Sequence, residues 1–268
     1  MLTDAHLHFG DLAGRDPGFL AGLPRPWLGC AASHDEPEFL ATERLAANLA
    51  AGSAGADGGA PGGEARAILS FGIHPQWAVW KNADFLASLA TSGRIAAIGE
   101  AGFDFFGDRP ERVRDAENEV AQRGVFEYQL GLAESRGLPM VLHLRKATDL
   151  AFGYAARLRR LPAVVLHSYS GTLREAEALL ARGVEAWFSF GATVLNGHKR
   201  AIEACAGLPA ERLLAETDAP WQPPRGEAAC LPAHIARVLA GMAAIRGTET
   251  RALEERLEAN FRAAYGLA

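Results

Sequence analysis

The 268-residue chain has few cysteines, few lysines and no long apolar run. Its three cysteines, Cys30, Cys205 and Cys230, are far apart and form no Cys-x-x-Cys pair, which argues against a disulfide framework and a thiolate zinc site. No run of about 18 uncharged apolar residues occurs, and the N-terminus has neither a basic nor an apolar leader region. We therefore expect a cytoplasmic protein with no membrane span and no secretory signal.

Lysine occurs only as Lys81, Lys146 and Lys199, and the formal net charge is −5. Proteins that hold duplex DNA through many phosphates usually present a basic face, so this charge argues against extensive duplex binding. It does not argue against hydrolysis at the end of a phosphodiester chain. The sequence also lacks Gly-x-Gly-x-x-Gly after its first predicted strand, which weakens a dinucleotide-binding interpretation.

Short apolar runs alternate with segments of helical periodicity along the chain. The longest helical segment is Val113–Arg136, stopped by Gly137-Leu138-Pro139, and a last helix is predicted over Thr248–Tyr265. Eight apolar runs are predicted as buried parallel strands: Leu2–His8, Trp27–Ser33, Ala67–Pro75, Ile95–Asp104, Pro139–Arg145, Ala163–Ser170, Ala186–Ala192 and Leu213–Pro220.

Eight strand–helix alternations predict an α/β fold, a (β/α)₈ TIM barrel, rather than an open doubly wound sheet. We see no domain boundary, so we expect a single barrel domain over residues 1–268. The glycine-rich stretch Ala51–Gly63 predicts a flexible surface loop between a helix and a strand.

Histidines and carboxylates cluster at the ends of the predicted strands. Five of the eight histidines lie there, whereas chance would place most of them in loops and helices. Because the carboxyl ends of barrel strands converge on one mouth, we expect these side chains to meet in one small volume. The expected metal-binding set is His6, His8, Glu100, His143, His167 and Asp218.

The spacing of these residues indicates which metal ion each one holds. His6 and His8 are two apart on one strand, so both point to the same face and can hold one ion. His143 and His167 come from neighbouring strands and can hold a second, while the two oxygens of Glu100 can bridge both ions. Histidine and carboxylate donors favour Zn²⁺, Mn²⁺ or Fe²⁺ over Ca²⁺, and a two-metal site generates hydroxide near neutral pH.

Asp218 can ligate one ion and also accept the proton of a bound water, so we assign Asp218 and Glu100 as catalytic residues. Arg145, two residues beyond His143, is predicted to bind a phosphate or carboxylate of the substrate; the alternative is an ion pair with an acid at the rim. His74 is predicted to face the substrate or to support a ligand, and a purely structural role is the alternative.

Three acids, Asp4, Asp104 and Glu216, are candidates to hydrogen-bond the metal-binding histidines. Three other histidines lie in predicted loops or helices, and we expect them at the surface: His34, His198 and His234. Several aromatic residues follow strand ends, where they either stack on a nucleobase or pack in the core: Trp77, Trp80, Phe105, Phe106 and Trp221.

Taken in order, the strand-end motifs resemble those of the TatD family of metal-dependent hydrolases, which have amidohydrolase-type barrels. The motifs are Asp-Ala-His-Leu-His at 4–8, Gly-Ile-His-Pro at 72–75, Ala-Ile-Gly-Glu-Ala-Gly-Phe-Asp at 97–104, His-Leu-Arg at 143–145, His-Ser-Tyr-Ser-Gly at 167–171 and Glu-Thr-Asp-Ala-Pro at 216–220. The resemblance implies a binuclear site. One ion would be held by His6, His8, Glu100 and Asp218, and the other by Glu100, His143 and His167.

The resemblance also implies deoxyribonuclease activity, often as an exonuclease that acts from the 3′ end of single-stranded DNA. We expect a monomer with two divalent ions, Zn²⁺, Mn²⁺ or Mg²⁺, in which a metal-bound hydroxide attacks the phosphorus. Some relatives deacylate misacylated tRNA, so a metal-dependent ester or amide hydrolase is the alternative. A non-catalytic binding protein is disfavoured because no ligand is lost. Phe9-Gly10 stand where the family commonly has an acid.

Overall fold

The structure, a computed structural model, describes residues 1–53 and 63–267. The strands of the described residues are β1 (Leu2–Leu7), β2 (Trp27–Ser33), β3 (Ala65–Phe71), β4 (Ala97–Asp104), β5 (Met140–Arg145), β6 (Val164–Leu166), β7 (Ala186–Phe190) and β8 (Leu213–Ala215). The α-helices are α1 (Phe9–Arg15), α2 (Glu36–Ser53), α3 (Ala83–Ser92), α4 (Ala116–Arg136), α5 (Thr148–Gly153), α6 (Ala155–Leu158), α7 (Leu173–Ala181), α8 (Ala192–Leu195), α9 (Lys199–Gly207), α10 (Ile235–Arg246) and α11 (Thr250–Ala264).

All eight strands belong to one parallel sheet, and their order in the sheet is their order in the chain. Past β8, the Asp218 N–H donates to the carbonyl of His6 at 2.9 Å, and the His8 N–H donates to the carbonyl of Ala219 at 2.8 Å. These bonds join the last strand segment to the first. The predicted (β/α)₈ barrel is therefore confirmed, and its strand ends form one mouth.

The barrel interior is filled by side chains contributed strand by strand. One buried cluster contains Ala5, Cys30, Ala97, Val141 and Val165, from five different strands, with Trp187 and Leu214 from two more. A second, larger cluster fills the layer between the sheet and the helices. Strands covered on both faces explain why the sequence shows nearly continuous apolar runs instead of alternation.

Two strands carry an extra residue relative to their neighbours. Between Asp4 and Leu7, β1 advances three residues while β2 advances two, and between Ile98 and Ala101, β4 advances three while β5 advances two. Such bulges bend a strand and re-aim a side chain. The residues within them include His6 on β1 and Glu100 on β4, so both side chains are turned by a local irregularity.

Buried polar contacts tie the ends of the barrel together. Asp4 accepts hydrogen bonds from the Thr217 hydroxyl at 2.6 Å and from the Thr217 N–H at 2.9 Å, which fixes the segment after β8 to β1. The Tyr265 hydroxyl donates to the carbonyl of Ala5 at 2.7 Å, and the N-terminal ammonium pairs with Glu258 at 2.6 Å. The C-terminal helix thus holds the first strand in place.

Several predicted boundaries differ from the structure. Five strands end earlier than predicted, because the following residues leave the sheet to form the mouth: β1 at Leu7, β3 at Phe71, β6 at Leu166, β7 at Phe190 and β8 at Ala215. Helix α4 begins at Ala116, where the Asp115 carboxylate caps it by accepting from the Asn118 N–H. Of the predicted loop Ala51–Gly63, residues 51–53 end α2, and 54–62 lie outside the described residues.

The β4 bulge depends on Gly99, which has a φ of 154° and lies so close to β5 that an added Cβ would be 2.4 Å from the Val141 carbonyl oxygen. We expect Gly99→Ala to lower the free energy of unfolding by at least about 2 kcal/mol, because the backbone of β5 would have to move away from the new methyl group. Urea unfolding measures the loss. Gly183→Ala is the control, since Gly183 also has positive φ but nothing within 4 Å. Equal losses in the two variants would contradict this account.

Candidate metal centre

Glu100 lies at the centre of the mouth, 2% exposed, with a ring of imidazoles around its carboxylate. Three Nε2 atoms approach Oε2, from His6 at 3.2 Å, His8 at 3.5 Å and His34 at 3.2 Å. Three nitrogens approach Oε1, from His74 Nε2 at 3.5 Å, His143 Nδ1 at 3.0 Å and His167 Nε2 at 2.8 Å. Each oxygen therefore faces its own group of three histidines.

This arrangement fits divalent metal ions. A carboxylate oxygen has two lone pairs, so three imidazoles cannot all donate hydrogen bonds to the same oxygen. Lone pairs on several nitrogens and one oxygen that converge on a shared point suit a cation instead. Groups of potential ligand atoms within 4.8 Å of one another include His6 with Glu100 and His167, and His6 with His8 and Asp218. Mixed imidazole and carboxylate donors are typical of transition-metal sites.

The charge of Glu100 is balanced by these imidazoles. Burial on its own would raise the pKa of Glu100, but the neighbouring His6 and His167 and the hydrogen bond with His143 hold that pKa well below its usual range. The carboxylate is therefore ionised, as a metal ligand must be.

Asp218 faces His8, with 3.3 Å between Oδ1 and Nε2. Burial opposes its ionisation, yet the hydrogen bond with His8 and the nearby imidazoles lower the pKa of Asp218. The Gln222 amide donates to Asp218 Oδ2 and also to the Ser168 hydroxyl, which links the loops after β6 and β8. Asp218 has a φ of 55°, so its direction is set by the loop and not by strand alternation.

His143 is oriented by Asp104. The His143 Nε2 lies 2.8 Å from Asp104 Oδ2, so its Nδ1 is the nitrogen that faces Glu100. Asp104 in turn accepts two hydrogen bonds from the buried Arg112 guanidinium, at 2.9 and 2.8 Å, and one from Gln76. Burial raises the pKa of Asp104, but the bonds with His143 and Arg112 outweigh it and leave the pKa lowered. Carboxylates in this position orient a metal-binding histidine.

His74 faces Glu100 as a neutral imidazole in this arrangement. Its Nδ1 accepts from the Gln76 N–H at 3.1 Å, so its proton is on Nε2, the atom 3.5 Å from Glu100. Burial lowers the pKa of His74 to about 3, although the negative charge of Glu100 acts to raise it. The predicted alternatives for His74 were a substrate-facing or supporting role and a purely structural one; the observed contact is with the central carboxylate.

His167 lies one residue beyond β6 and reaches Glu100 through Nε2. Glu216, one of the three acids predicted to hydrogen-bond the metal-binding histidines, is 3.7 Å from the other nitrogen of His167, and the same Glu216 oxygen accepts a 2.7 Å hydrogen bond from the Ser168 N–H. Glu216 therefore positions the loop that carries His167 more directly than it positions the imidazole. Similarly, Asp4 bonds to Thr217 and to the backbone N–H of His6, not to its ring.

The rim of the mouth combines exposed aromatic rings with cations. Arg145, two residues past His143, stacks its guanidinium 4.6 Å from the centre of the Phe106 ring, and Arg15 lies 5.0 Å from that of Trp221. Among the described residues no carboxylate lies within ion-pair distance of Arg145, so the rim ion pair that was the alternative to a substrate contact is not formed in this structure. Phe105 is buried, whereas Phe106 is 43% exposed.

Two of the three histidines expected at the surface are not there. His34, one residue beyond β2, lies beside Glu100, and His234 is buried with its Nε2 2.8 Å from Glu227. His198 is exposed, as expected, and caps α9 by accepting from the Ala201 N–H. The strand-end rule applied to Trp27–Ser33 contained the signal for His34, whereas no sequence signal marks Arg112 or Gln76 as partners of Asp104.

A parallel (β/α)₈ barrel with a buried histidine and carboxylate cluster at its strand ends is the architecture of metal-dependent hydrolases. A family model described as TatD related DNase matches residues 62–266, and the chain therefore belongs to the TatD family, as its motifs indicated. The match covers Glu100 and Asp218 but begins after His6 and His8. Membership makes the chain a hydrolase of the TatD type.

Two relatives are each named 3′-5′ ssDNA/RNA exonuclease TatD. The protein from Klebsiella pneumoniae (strain 342) is 32% identical over 206 residues, covering 73% of this chain and 76% of its own length. The protein from Erwinia billingiae (strain Eb661) is 35% identical over 213 residues, with the same coverage.

Solved structures share the fold. A TatD homologue from Escherichia coli K12 superposes with a TM-score of 0.80 at 24% identity, covering 100% of this chain and 98% of its own. A TatD family hydrolase from Entamoeba histolytica gives a TM-score of 0.74 at 17% identity, covering 98% and 97%. Within the described residues, no helix is both long enough and apolar enough to cross a bilayer.

Removing Arg112 should destabilise the protein because Asp104 would keep a buried charge without its guanidinium partner. We expect Arg112→Ala to lower the free energy of unfolding by about 3 kcal/mol. Arg114→Ala is the matched control, since Arg114 pairs with Asp149 at 2.6 Å on the exposed surface, where a loss under about 1 kcal/mol is expected. Both losses are measured by urea denaturation of the purified variants. A loss for Arg112→Ala no larger than the control's would refute this role.

Proposed function

We propose that this TatD-family hydrolase cleaves the phosphodiester bonds of single-stranded DNA from the 3′ end, using two divalent ions. The observation that carries the proposal is the division of Glu100, with one histidine group facing each oxygen. A single carboxylate placed in this way is suited to bridge two ions. The names of the bacterial relatives support the choice of a single-stranded nucleic acid as substrate.

The ligand sets follow from the same division. One ion is assigned to His6, His8, Asp218 and the Oε2 side of Glu100, and the other to His143, His167 and the Oε1 side of Glu100. When bound, such ions supply Lewis acidity and neutralise charge on the phosphoryl oxygens. The donor set suits Zn²⁺, Mn²⁺ or Mg²⁺.

Asp218 is assigned as the proton acceptor for the attacking water. Its lowered pKa leaves the carboxylate ionised and able to take up a proton, and the Gln222 amide holds it in one orientation. Glu100 has a different part, because its oxygens already face six imidazole nitrogens and its charge holds the centre together. General bases of this kind contribute roughly a hundredfold or more to the rate.

The rim provides the means to hold a strand end. The large hydrophobic side chains that are exposed in the described residues lie in the loops after β3, β4 and β8, apart from Val120 near the start of α4. They include Trp77, Phe106 and Trp221, on which unpaired bases can stack. Arg145 beside Phe106 is assigned to the substrate phosphate, so a local cationic site compensates for the negative net charge.

The distribution of these side chains also supports a monomer. Among residues 1–53 and 63–267, the exposed large apolar side chains are concentrated at the substrate face and Val120 is the one on an outer helix, whereas subunit interfaces use larger apolar patches. The three cysteines, Cys30, Cys205 and Cys230, are all buried and free, which supports the proposed reducing, cytoplasmic location.

The eight strands of the described residues all lie in one sheet, which supports the proposal of a single barrel domain.

The proposal is tested by digestion of single-stranded DNA and RNA, each labelled at the 5′ end, with purified protein and Mg²⁺, Mn²⁺ or Zn²⁺. Stepwise shortening from the 3′ end is expected, and it should stop when EDTA is added. Glu100→Ala should abolish shortening, and Asp218→Ala should slow it at least about a hundredfold. Arg212→Ala should match the wild type because Arg212 stacks on Trp187 just before β8, at the end of the barrel opposite the mouth.

Protein that binds two ions but cleaves no strand with any metal would reject the nuclease proposal. In that outcome the same centre would be assayed against a panel of esters, amides and aminoacyl-tRNA, which are the alternative substrates for this ligand set. Near-normal cleavage by Asp218→Ala would reject its assignment as the proton acceptor.

The rim is tested by affinity for a short oligonucleotide in the Glu100→Ala background, where no cleavage interferes. We expect Phe106→Ala to weaken binding by roughly five- to a hundredfold, the usual effect of removing one base-stacking ring. Arg145→Ala should weaken binding and also reduce its dependence on salt. Arg212→Ala is the control, because Arg212 stacks on Trp187 just before β8, at the opposite end of the barrel. Fluorescence anisotropy measures all four proteins. Unchanged affinity in both rim variants would place the substrate elsewhere.

A further inference from the structure

His34 belongs to the metal centre by position, yet neither the expected ligand sets nor the assigned catalytic roles use it. It is the first residue after β2, at the mouth, and its Nε2 is 3.2 Å from Glu100 Oε2. That is as close as the approach of His6 to the same oxygen. His34, His8 and Glu100 form a group whose potential ligand atoms all lie within 4.8 Å of one another.

The backbone of His34 is held on both sides. Its N–H donates to Glu38 Oε2 at 2.7 Å, and its carbonyl accepts from the Asn82 amide at 2.8 Å. The imidazole packs between His8 and His74, with ring centres 5.5 and 4.9 Å apart. A side chain restrained in this way is pre-organised to bind in a fixed direction, as metal ligands are.

The position of Glu38 depends on Gly10. A Cβ at residue 10 would lie 2.8 Å from Glu38 Cγ, so the absence of a side chain there makes room for the glutamate. Glu38 then fixes the His34 backbone and also stands near His8 and Asp11, with which it forms another group of potential ligands. Phe9-Gly10 stand where the family commonly has an acid, and the space that Gly10 leaves for Glu38 therefore supports the placement of His34 at the centre.

The crowding around Glu100 Oε2, taken with the surroundings of the other ring nitrogen, argues against a simple hydrogen-bonding role for His34. His74 on the Oε1 side differs, because its Nδ1 accepts a hydrogen bond from the Gln76 N–H. Three Nε2 atoms, from His6, His8 and His34, lie within 3.5 Å of an oxygen that has two lone pairs. The other ring nitrogen of His34 is buried and has no partner among the described residues. An imidazole whose Nε2 lone pair binds a cation, with the proton on Nδ1, accounts for the crowding.

We propose that His34 is a further metal ligand, which binds through Nε2 the divalent ion held on the Oε2 side of Glu100. This inference rests on the proposed metal centre, but it does not depend on the substrate. It gives that ion a third histidine, which follows β2, whereas His6 and His8 both come from β1 and its end. It also distinguishes the two ions by their surroundings.

The test measures metal binding to the purified variants in two ways. Competition with a chromophoric chelator gives the affinity for Zn²⁺, and the proton NMR spectrum of the Co²⁺-substituted protein reports on the histidine ligands. In His34→Ala we expect one of two ions to bind at least about tenfold more weakly while the other is unchanged. The proton spectrum of the Co²⁺ form should lose one shifted, exchangeable imidazole N–H signal. His34→Gln keeps a hydrogen-bond donor of similar reach, and it should show the same loss. His198→Ala, which removes an exposed histidine, should bind both ions as the wild type does. Thermal unfolding of each variant without metal checks that it folds.

Identical isotherms and N–H signals for His34→Ala and the wild type would overturn the proposal. Full restoration by His34→Gln would also overturn it, because an amide that merely donates to Glu100 would then suffice. Cleavage is assayed separately: a wild type that binds both ions but hydrolyses no strand rejects the proposed nuclease function and leaves the ligand assignment standing.

Discussion

The structure depends on one buried charge. An ionised carboxylate inside a barrel costs several kcal/mol unless it is compensated, and Glu100 is compensated by imidazoles from five different strands or their ends. The cluster in turn depends on the mouth geometry, because six nitrogens can approach one side chain only where parallel strand ends converge. The bulge in β4 turns Glu100 to the centre of that ring, and Gly99 makes the bulge sterically accessible.

A second layer of contacts holds the proposed metal ligands without facing the centre. Arg112 fixes the Asp104 carboxylate, which in turn orients the His143 imidazole. Asp4 accepts a hydrogen bond from Thr217 and so holds the loop that carries Asp218. These acids are buried within the fold, whereas the aromatic and cationic residues of the rim are exposed. The protein therefore separates a rigid, polar interior of the site from an outer surface on which substitutions can alter substrate choice without disturbing the ligands.

The architecture was predictable from the sequence because buried parallel strands give short apolar runs, and because functional residues follow those runs. The rule placed His143 and His167 correctly even though β6 proved only three residues long. It was not applied to His34, although that residue directly follows Trp27–Ser33. The bulges were not predictable, since they exist only as a register between two strands. Arg112 was missed for a similar reason: its pairing with Asp104 forms through space, from a 3₁₀ turn with no periodicity of its own.

The bonds that join the two ends of the chain have a consequence for how the centre comes into being. Asp4 and Thr217 are 213 residues apart in sequence, and the Ala5 carbonyl is held by Tyr265 near the C-terminus. Contacts of such separation form late, because the loop between them must close first. During synthesis, His6 and His8 emerge with the first strand, whereas Glu100 follows with β4 and Asp218 only after β8. The histidines made first are thus the last to be surrounded by all of their partners, and a chain that stops before β8 has no assembled site.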